Sequence, residues 1–320
     1  MKHFNFDEID DRELINRAAL KDPDKFVRGV ESKYASALKR VCEIIAKNAH
    51  EHKIIMLCGP SGSGKTTTAA MMAARLKKEH GVGAVTISLD NFYMGGNRAP
   101  LLGDGRFDYE SVYALNLEAI NTSFLSLIKT GRCEMPRFDF KARSPALDTI
   151  PVELKEGDIA IVEGIHAMNP LITDCLPKRS LYKLYVSVES GIYENGELKV
   201  APRDIRLTRR MIRDHHFRNS SPQHTLFLWD GVVEGEDKYL FPYADTADMQ
   251  LNSFHSYEMC TYRNAAIELL EQVKAGEHNY GLARRLIRSL VPFERLDEGR
   301  VPDSSLIREF IGGSIYTSPI

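Results

Sequence analysis

The run Gly59-Pro60-Ser61-Gly62-Ser63-Gly64-Lys65-Thr66 limits what this chain can fold into more than any other feature. It is a complete G-x-x-x-x-G-K-[ST] pattern, with an apolar stretch at 53–58 before it and a helix-forming run at 65–80 after it. A strand, a glycine-rich turn and a helix in that order make a cradle for an anion. The glycines let the loop bend so that successive backbone N–H groups face one centre, and the helix N-terminus adds partial positive charge. Lys65 would then reach the β- and γ-phosphates, the Thr66 hydroxyl would ligate Mg²⁺, and the loop from Gly59 to Thr67 would surround the phosphates of ATP or a similar nucleotide.

The texture around this unit is regular. Strands are expected at 84–89, 158–162, 181–188 and 249–252. Helices are expected at 116–129 (closed by Gly131), 203–218, 222–235 and on to about 274. Strands alternating with helices at this spacing predict an α/β fold of the P-loop NTPase type, a mostly parallel sheet with helices on both faces. Alternating segments at 134–154, broken by Pro136, Pro145 and Pro151, read as a small antiparallel β excursion. An amphipathic helix at 23–49 is entered through Asp22 and Pro23, and Val27, Val30, Tyr34, Leu38, Val41 and Ile45 recur along one face. The expected organisation is an N-terminal helical arm (1–50), a P-loop domain (51–262) with a helical lid at about 199–235, and a C-terminal extension (263–320) packing on that domain.

Composition excludes several classes. With 42 Lys+Arg against 44 Asp+Glu and 43% apolar residues in 320, the chain is neither a disordered acidic tail nor a basic coat protein. No apolar run approaches the roughly 18 residues of a membrane span. The five cysteines are scattered and odd in number, with no C-x-x-C, so a disulfide framework is not expected and a cytoplasmic location is. The near-zero net charge of −2 hides one local imbalance: residues 199–218 hold seven basic and two acidic side chains. Arg206, Arg210 and Arg213 fall on one helical face, with Arg209 alongside. A solvated face or a nucleic-acid patch is the usual reading of such a run. In a chain with a P-loop, phosphate charge is the better partner, so a small-molecule acceptor is expected and neither a membrane nor a nucleic acid is.

Two carboxylates stand at strand ends. Asp90, in Leu89-Asp90-Asn91-Phe92-Tyr93, follows the second strand, where open α/β sheets bind ligands and where a base could take the proton of an attacking hydroxyl. Glu163 closes Ile159-Ala160-Ile161-Val162-Glu163 and would stand near Mg²⁺ or its water shell. The guanine-reading N-K-x-D and the transporter signature L-S-G-G-Q are absent from the sequence. His166 follows the Glu163 strand and could approach the site, with packing as its default reading.

These segments together resemble the phosphoribulokinase/uridine kinase family, in its uridine kinase branch. The resemblance rests on G-P-S-G-S-G-K-T (59–66), S-L-D-N-F-Y (88–93), R-F-D-Y (106–109), P-R-F-D-F (136–140), V-E-G-I (162–165) and R-L-T-R-R-M-I-R-D (206–214), in order over about 51–262. It is similar above all to a bacterial subgroup whose kinase region often follows an N-terminal TGS-type domain and shares the ending E-F-I-G-G-S (309–314). The sequence begins without such a domain, which leaves a different architecture or a shortened chain. The resemblance implies Asp90 as general base on a nucleoside 5′-hydroxyl and Asp108 as hydrogen-bond partner of the ribose hydroxyls. It implies Tyr93 and Phe138 in the acceptor pocket, with Phe138 against the base, and Glu163 as organiser of Mg²⁺. Arg210, Arg213 and Arg218 would close over the phosphates. Arg143 stands where the family carries a histidine at the base edge, and arginine only donates hydrogen bonds.

The expected activity is Mg-ATP-dependent phosphorylation of a small-molecule hydroxyl, foremost the 5′-OH of a pyrimidine nucleoside. A kinase of the same fold acting on a sugar phosphate or pantothenate remains open. So does a non-catalytic nucleotide sensor or RNA-associated ATPase.

Overall fold

The computed structural model describes residues 2–4, 9–103 and 105–316, so the outer ends of the expected segments 1–50 and 263–320 lie outside the described residues. A short strand β1 (Lys2–Phe4) precedes helices α1 (Arg12–Lys21) and α2 (Pro23–Lys47). Asp11 caps α1 by accepting from Leu14 N, and Asp22 caps α2 by accepting from Lys25 N with Pro23 at the first helical position. β2 (Ile54–Cys58) leads through the glycine loop into α3 (Lys65–Arg75), which continues as one π-helical turn, Leu76–His80, and stops at Gly81 with φ +70°. β3 (Ala84–Ser88) ends in a 3₁₀ turn, Leu89–Phe92. α4 (Leu117–Thr130), capped by Asn116 and closed by Gly131, runs into the antiparallel hairpin β4 (Arg132–Asp139) and β5 (Ser144–Glu153).

β6 (Ile159–Glu163), the short α5 (Pro170–Thr173) and β7 (Leu181–Ser187) follow, then a second hairpin, β8 (Ile192–Glu194) and β9 (Glu197–Val200). The basic segment forms α6 (Pro202–Arg218), which ends at Asn219 in the left-handed region, and α7 (Pro222–Tyr239), capped by Ser221. α8 (Phe241–Ala244), β10 (Met249–Asn252), α9 (Glu258–Glu271), α10 (Tyr280–Leu290) and α11 (Arg308–Ile311) complete the described chain.

Six of the ten described strands form one parallel sheet in the order β1-β10-β7-β2-β6-β3. Its central strands are apolar at nearly every position because both faces are covered. Ile55, Leu57, Ile159, Ile161, Leu184 and Val186 face one core, whereas Ile54, Met56, Cys58, Ala160, Val162 and Tyr185 face the other. Each fully buried aliphatic side chain contributes about 1.5–3 kcal/mol relative to exposure. The expected parallel sheet with helices on both faces and an antiparallel excursion is therefore the architecture observed.

The first core also takes in Tyr34 and Ile45 of α2, Leu286 of α10 and Phe310 of α11, so both ends of the chain share the interior of the P-loop region. Tyr34 OH and Thr68 Oγ1 form a buried 2.9 Å hydrogen bond that ties α2 to the phosphate-loop helix. The segment expected as a lid begins with a rooted helix. On α6, Ile205, Leu207, Met211 and Ile212 are buried, and so are Arg206 and Arg209.

Candidate active site

The parallel order β2-β6-β3 brings three strand ends together. Leu57 and Ser88 both lie opposite Glu163, so the glycine loop, Glu163 and Asp90 emerge side by side. Ser88 joins the last two: its hydroxyl donates to Glu163 Oε1 at 3.0 Å and accepts from Asp90 N at 3.3 Å. Gly164 must be small, since a Cβ there would lie 2.8 Å from Leu89 Cβ.

The loop itself is held tightly. Gly62 and Gly64 have φ of +73° and +85°. A Cβ on Gly59 would lie 2.0 Å from the Val186 carbonyl oxygen, and one on Gly62 would lie 2.7 Å from that of Arg206. Lys65 Nζ donates to the Pro60 carbonyl at 3.2 Å. Glu236 accepts from Ser61 N at 2.8 Å, while Arg206 donates to the Ser61 carbonyl at 2.9 Å and pairs with Glu236 through two bonds of 2.7 and 2.9 Å. Arg209 donates to the Gly62 carbonyl at 3.2 Å and pairs with the fully buried Glu258 at 2.6 and 2.9 Å. Two of the seven basic side chains of the run are thus internal scaffolding for the loop. Sequence reading put Arg206 on the phosphate-facing side; in the fold it is buried and neutralised by Glu236. Glu236 and Glu258 were missed, because no local spacing links them to residues some 30 to 50 positions upstream.

The other arginines gather on Asp214, which is buried. Arg213 donates to Asp214 Oδ1 at 3.0 and 2.8 Å, Arg218 Nε lies 3.5 Å from the same oxygen, and Arg210 Nε lies 3.3 Å from Oδ2 without hydrogen-bond geometry. Arg210 also donates to Ser61 Oγ at 2.8 Å. Asp214 therefore fans three guanidinium groups toward the loop and Asp90. The spacing 210, 214, 218 was the available signal for it.

The cleft crowds Asp90 and pushes its carboxyl pKa up, against the opposing pull of Lys65, Arg218 and Arg213; the side chain nevertheless keeps solvent contact. Burial also pushes up Glu163, opposed by Lys65 and reinforced by the charge of Asp90. Two carboxylates at adjacent strand ends beside one lysine make a site that a divalent cation would relieve. Glu163, Thr66 and phosphate oxygens offer the all-oxygen donor set that suits Mg²⁺. Cys58, just before the loop, is pushed up to about 11 by burial and donates to the Ile165 carbonyl, so it stays a thiol.

On the side where the acceptor is expected, Asn91 Oδ1 accepts from Phe138 N at 3.2 Å and fixes the β4–β5 hairpin to the Asp90 turn. Phe138 packs 6.0 Å from Tyr93, whose hydroxyl donates to the Tyr109 carbonyl at 3.2 Å. Arg143 sits on the hairpin turn with φ +53°, exposed; its carbonyl, not its guanidinium, meets Gly96 N at 3.4 Å. Asp108 is buried and accepts from Tyr239 OH at 2.8 Å.

Glu110, two residues on, was not anticipated. It lines a cavity of about 700 Å³ between the 102–110 loop and α7, together with Asp108, Arg210, Phe227 and Tyr239. Burial pushes its carboxyl up to about 7, with Arg210 opposing and Glu236, Asp90 and Asp108 reinforcing. His166 lies beneath this wall, 2% exposed and 6.0 Å from the Tyr239 ring, and burial lowers its pKa to about 4 against an opposing hydrogen bond with the Glu110 backbone. A smaller cavity of about 230 Å³, lined by Lys53, Leu127 and Lys155, opens at the opposite end of the strands from this site.

A P-loop beside a strand-end carboxylate, an arginine fan and a neighbouring cavity are the parts a phosphotransferase of the kinase type needs. The chain belongs to the Phosphoribulokinase / Uridine kinase family, whose model matches residues 54–259. It is 26% identical over 250 residues to "Uridine-cytidine kinase C" of Dictyostelium discoideum, covering 78% of this chain and 48% of that protein, so the match spans about half of that relative's length. It is 24% identical over 199 residues to "Uridine kinase" of Ureaplasma parvum, covering 62% of this chain and 86% of the other. Among solved structures, one described as a possible uridine kinase from Bacillus stearothermophilus is 15% identical with a TM-score of 0.45, covering 68% of this chain and 98% of the other. Among the described residues, no helix is long and apolar enough to cross a membrane.

Proposed function

We propose that this chain transfers the γ-phosphoryl group of Mg-ATP to a hydroxyl of a small molecule, foremost the 5′-hydroxyl of a pyrimidine nucleoside. The observation that carries the reading is the Ser88 bridge, which sets Asp90 and Glu163 at adjacent strand ends beside Lys65. Asp90 accepts the proton of the attacking hydroxyl, whose oxygen forms the new bond to the γ-phosphorus as the bond to the ADP oxygen breaks. Lys65, Arg213 and Arg218 offset the charge spread over the transferring group, and catalysis is chiefly positioning and electrostatics. Thr66 and Glu163 would hold Mg²⁺, which supplies Lewis-acid neutralisation of phosphate charge.

The acceptor lies against Tyr93 and Phe138, with its vicinal hydroxyls held by Glu110. Asp108, already engaged by Tyr239, orients the loop that carries Glu110. The nucleoside preference is supported by the relatives' names and by a cavity in which Tyr109, Phe227 and Tyr239 stand with the carboxylates of Asp108 and Glu110. The test is an acceptor panel with labelled ATP: uridine, cytidine, other nucleosides, ribose derivatives, sugar phosphates and pantothenate. Transfer to uridine or cytidine above the rest supports the reading, and preference for a sugar phosphate or pantothenate overturns the nucleoside assignment. ATP binding without transfer to any acceptor overturns the kinase assignment.

A further inference from the structure

Glu309 lies outside the family-matched residues 54–259, on α11 near the end of the described chain. Its Oε2 accepts from Thr67 N at 3.3 Å, and its Oε1 lies 3.8 Å from Arg213 Nη1. Thr67 stands in the first turn of α3, where backbone N–H groups have no acceptor within the helix and face whatever anion the loop holds. A side-chain carboxylate is therefore seated on an amide of the phosphate cradle. The same segment fits the loop sterically. A Cβ on Gly64 would lie 2.6 Å from Leu306 Cδ1, so the glycine that opens the cradle also admits Leu306. Phe310 is fully buried, with the Arg209 guanidinium 5.1 Å from its ring centre.

A second carboxylate on the same loop provides the contrast. Glu236 is 1% exposed, accepts from Ser61 N at 2.8 Å and is gripped by Arg206 through two short bonds. It is a fixed part of the loop. Among the described residues, the Glu309 carboxylate has two long contacts, and its side chain is 14% exposed. Both of its donors, a P-loop amide and a guanidinium beside Asp90, suit phosphate oxygens.

We propose that Glu309 is a built-in anionic occupant of the phosphate cradle, holding Thr67 N–H and Arg213 until a nucleoside triphosphate displaces it. The C-terminal segment is thereby part of the nucleotide site. A carboxylate and a phosphate cannot share these donors without like-charge repulsion, so nucleotide entry requires the Glu309 side chain to leave. The occupant keeps the donors paired and aligned in the empty enzyme at the expense of apparent nucleotide affinity. This inference rests on the reading of the loop as an ATP cradle.

The experiment compares the full chain with Glu309→Gln and Glu309→Ala by calorimetric titration with Mg-ATP and with a non-hydrolysable analogue. Removing the charge tightens binding by about threefold to tenfold, the equivalent of one hydrogen-bond contribution. In the unaltered protein, hydrogen exchange of amides 305–316 speeds up when the analogue is added, a readout that needs no variant to fold. Equal or weaker binding by the isosteric Gln variant, or greater protection of 305–316 with nucleotide, overturns the proposal. Failure of the unaltered chain to bind ATP would overturn the nucleotide reading itself, whereas binding that is indifferent to Glu309 overturns this inference alone.

Discussion

The Tyr239 hydroxyl donates to Asp108 Oδ2 at 2.8 Å, joining the last turn of α7 to the loop that forms one wall of the cavity of about 700 Å³. The bond uses one oxygen of the carboxylate that the family resemblance assigns to ribose. Glu110, on the same wall, has its carboxyl raised by burial and faces Arg210. Under the proposed function the two acidic side chains divide the work, Asp108 positioning the loop and Glu110 meeting the ligand.

That division predicts an order of effects. Glu110→Ala raises the KM for the acceptor by about threefold to tenfold, the cost of one hydrogen bond, with the KM for ATP unchanged. Tyr239→Phe costs about 1 kcal/mol of stability and changes acceptor KM less. Steady-state kinetics with each substrate varied in turn measures both. If Asp108→Asn raises acceptor KM far more than Glu110→Ala does, the ribose contact belongs to Asp108.

Asp90→Asn removes the proton acceptor while keeping size and the Ser88 contact. Phosphoryl transfer falls by about 10²–10⁴-fold, and Mg-ATP binding remains. Because the cleft raises the Asp90 pKa, kcat in the unaltered enzyme declines as pH falls through that raised value, when the carboxyl protonates. Single-turnover rates as a function of pH give both results, and near-normal transfer by the Asn variant would remove Asp90 from the chemistry.

The elements that carry chemistry were legible where local pattern and fold agree. The glycine loop, the apolar strands and the helix entries at Asp22-Pro23, Asn116 and Ser221-Pro222 declare themselves by spacing and capping. Helix α1 escaped notice although Asp11 caps it, because only Ile15 and Ala19 of its apolar residues are buried. Strand β1 is three residues long and needs its neighbour β10, nearly 250 positions away. The arginine run was legible as charge but not as structure. Whether an arginine faces phosphate or a buried glutamate depends on residues such as Glu236 and Glu258, and no short-range pattern names them.

Arg209 and Glu258 make the second test of that distinction. Both side chains are fully buried, and Arg209 also donates to the Ser253 and Gly62 carbonyls at 2.7 and 3.2 Å. Glu258→Gln leaves a guanidinium charge without its counter-ion inside the core and lowers stability by about 3–5 kcal/mol in chemical denaturation. Glu236→Gln, by contrast, loosens Ser61 at the loop mouth, so its added signature is a raised KM for ATP.

The pKa of Glu110 ties stability to pH with a definite sign. Its carboxyl is raised from 4.5 to about 7 in the fold, chiefly by burial, with Arg210 on α6 opposing and Glu236 on α7, Asp90 and Asp108 reinforcing. Between those two values the folded state binds more protons than the unfolded one, so this group makes stability fall as pH rises from 4.5 to 7. The penalty is complete above 7 and absent below 4.5. Glu110→Gln cannot ionise, so its melting temperature exceeds that of the parent at pH 8, and the difference shrinks as pH falls toward 4.5. Melting curves of both proteins across that range decide the matter. A difference independent of pH would mean that Glu110 is ordinarily ionised and well solvated, and would leave its place against the acceptor without support.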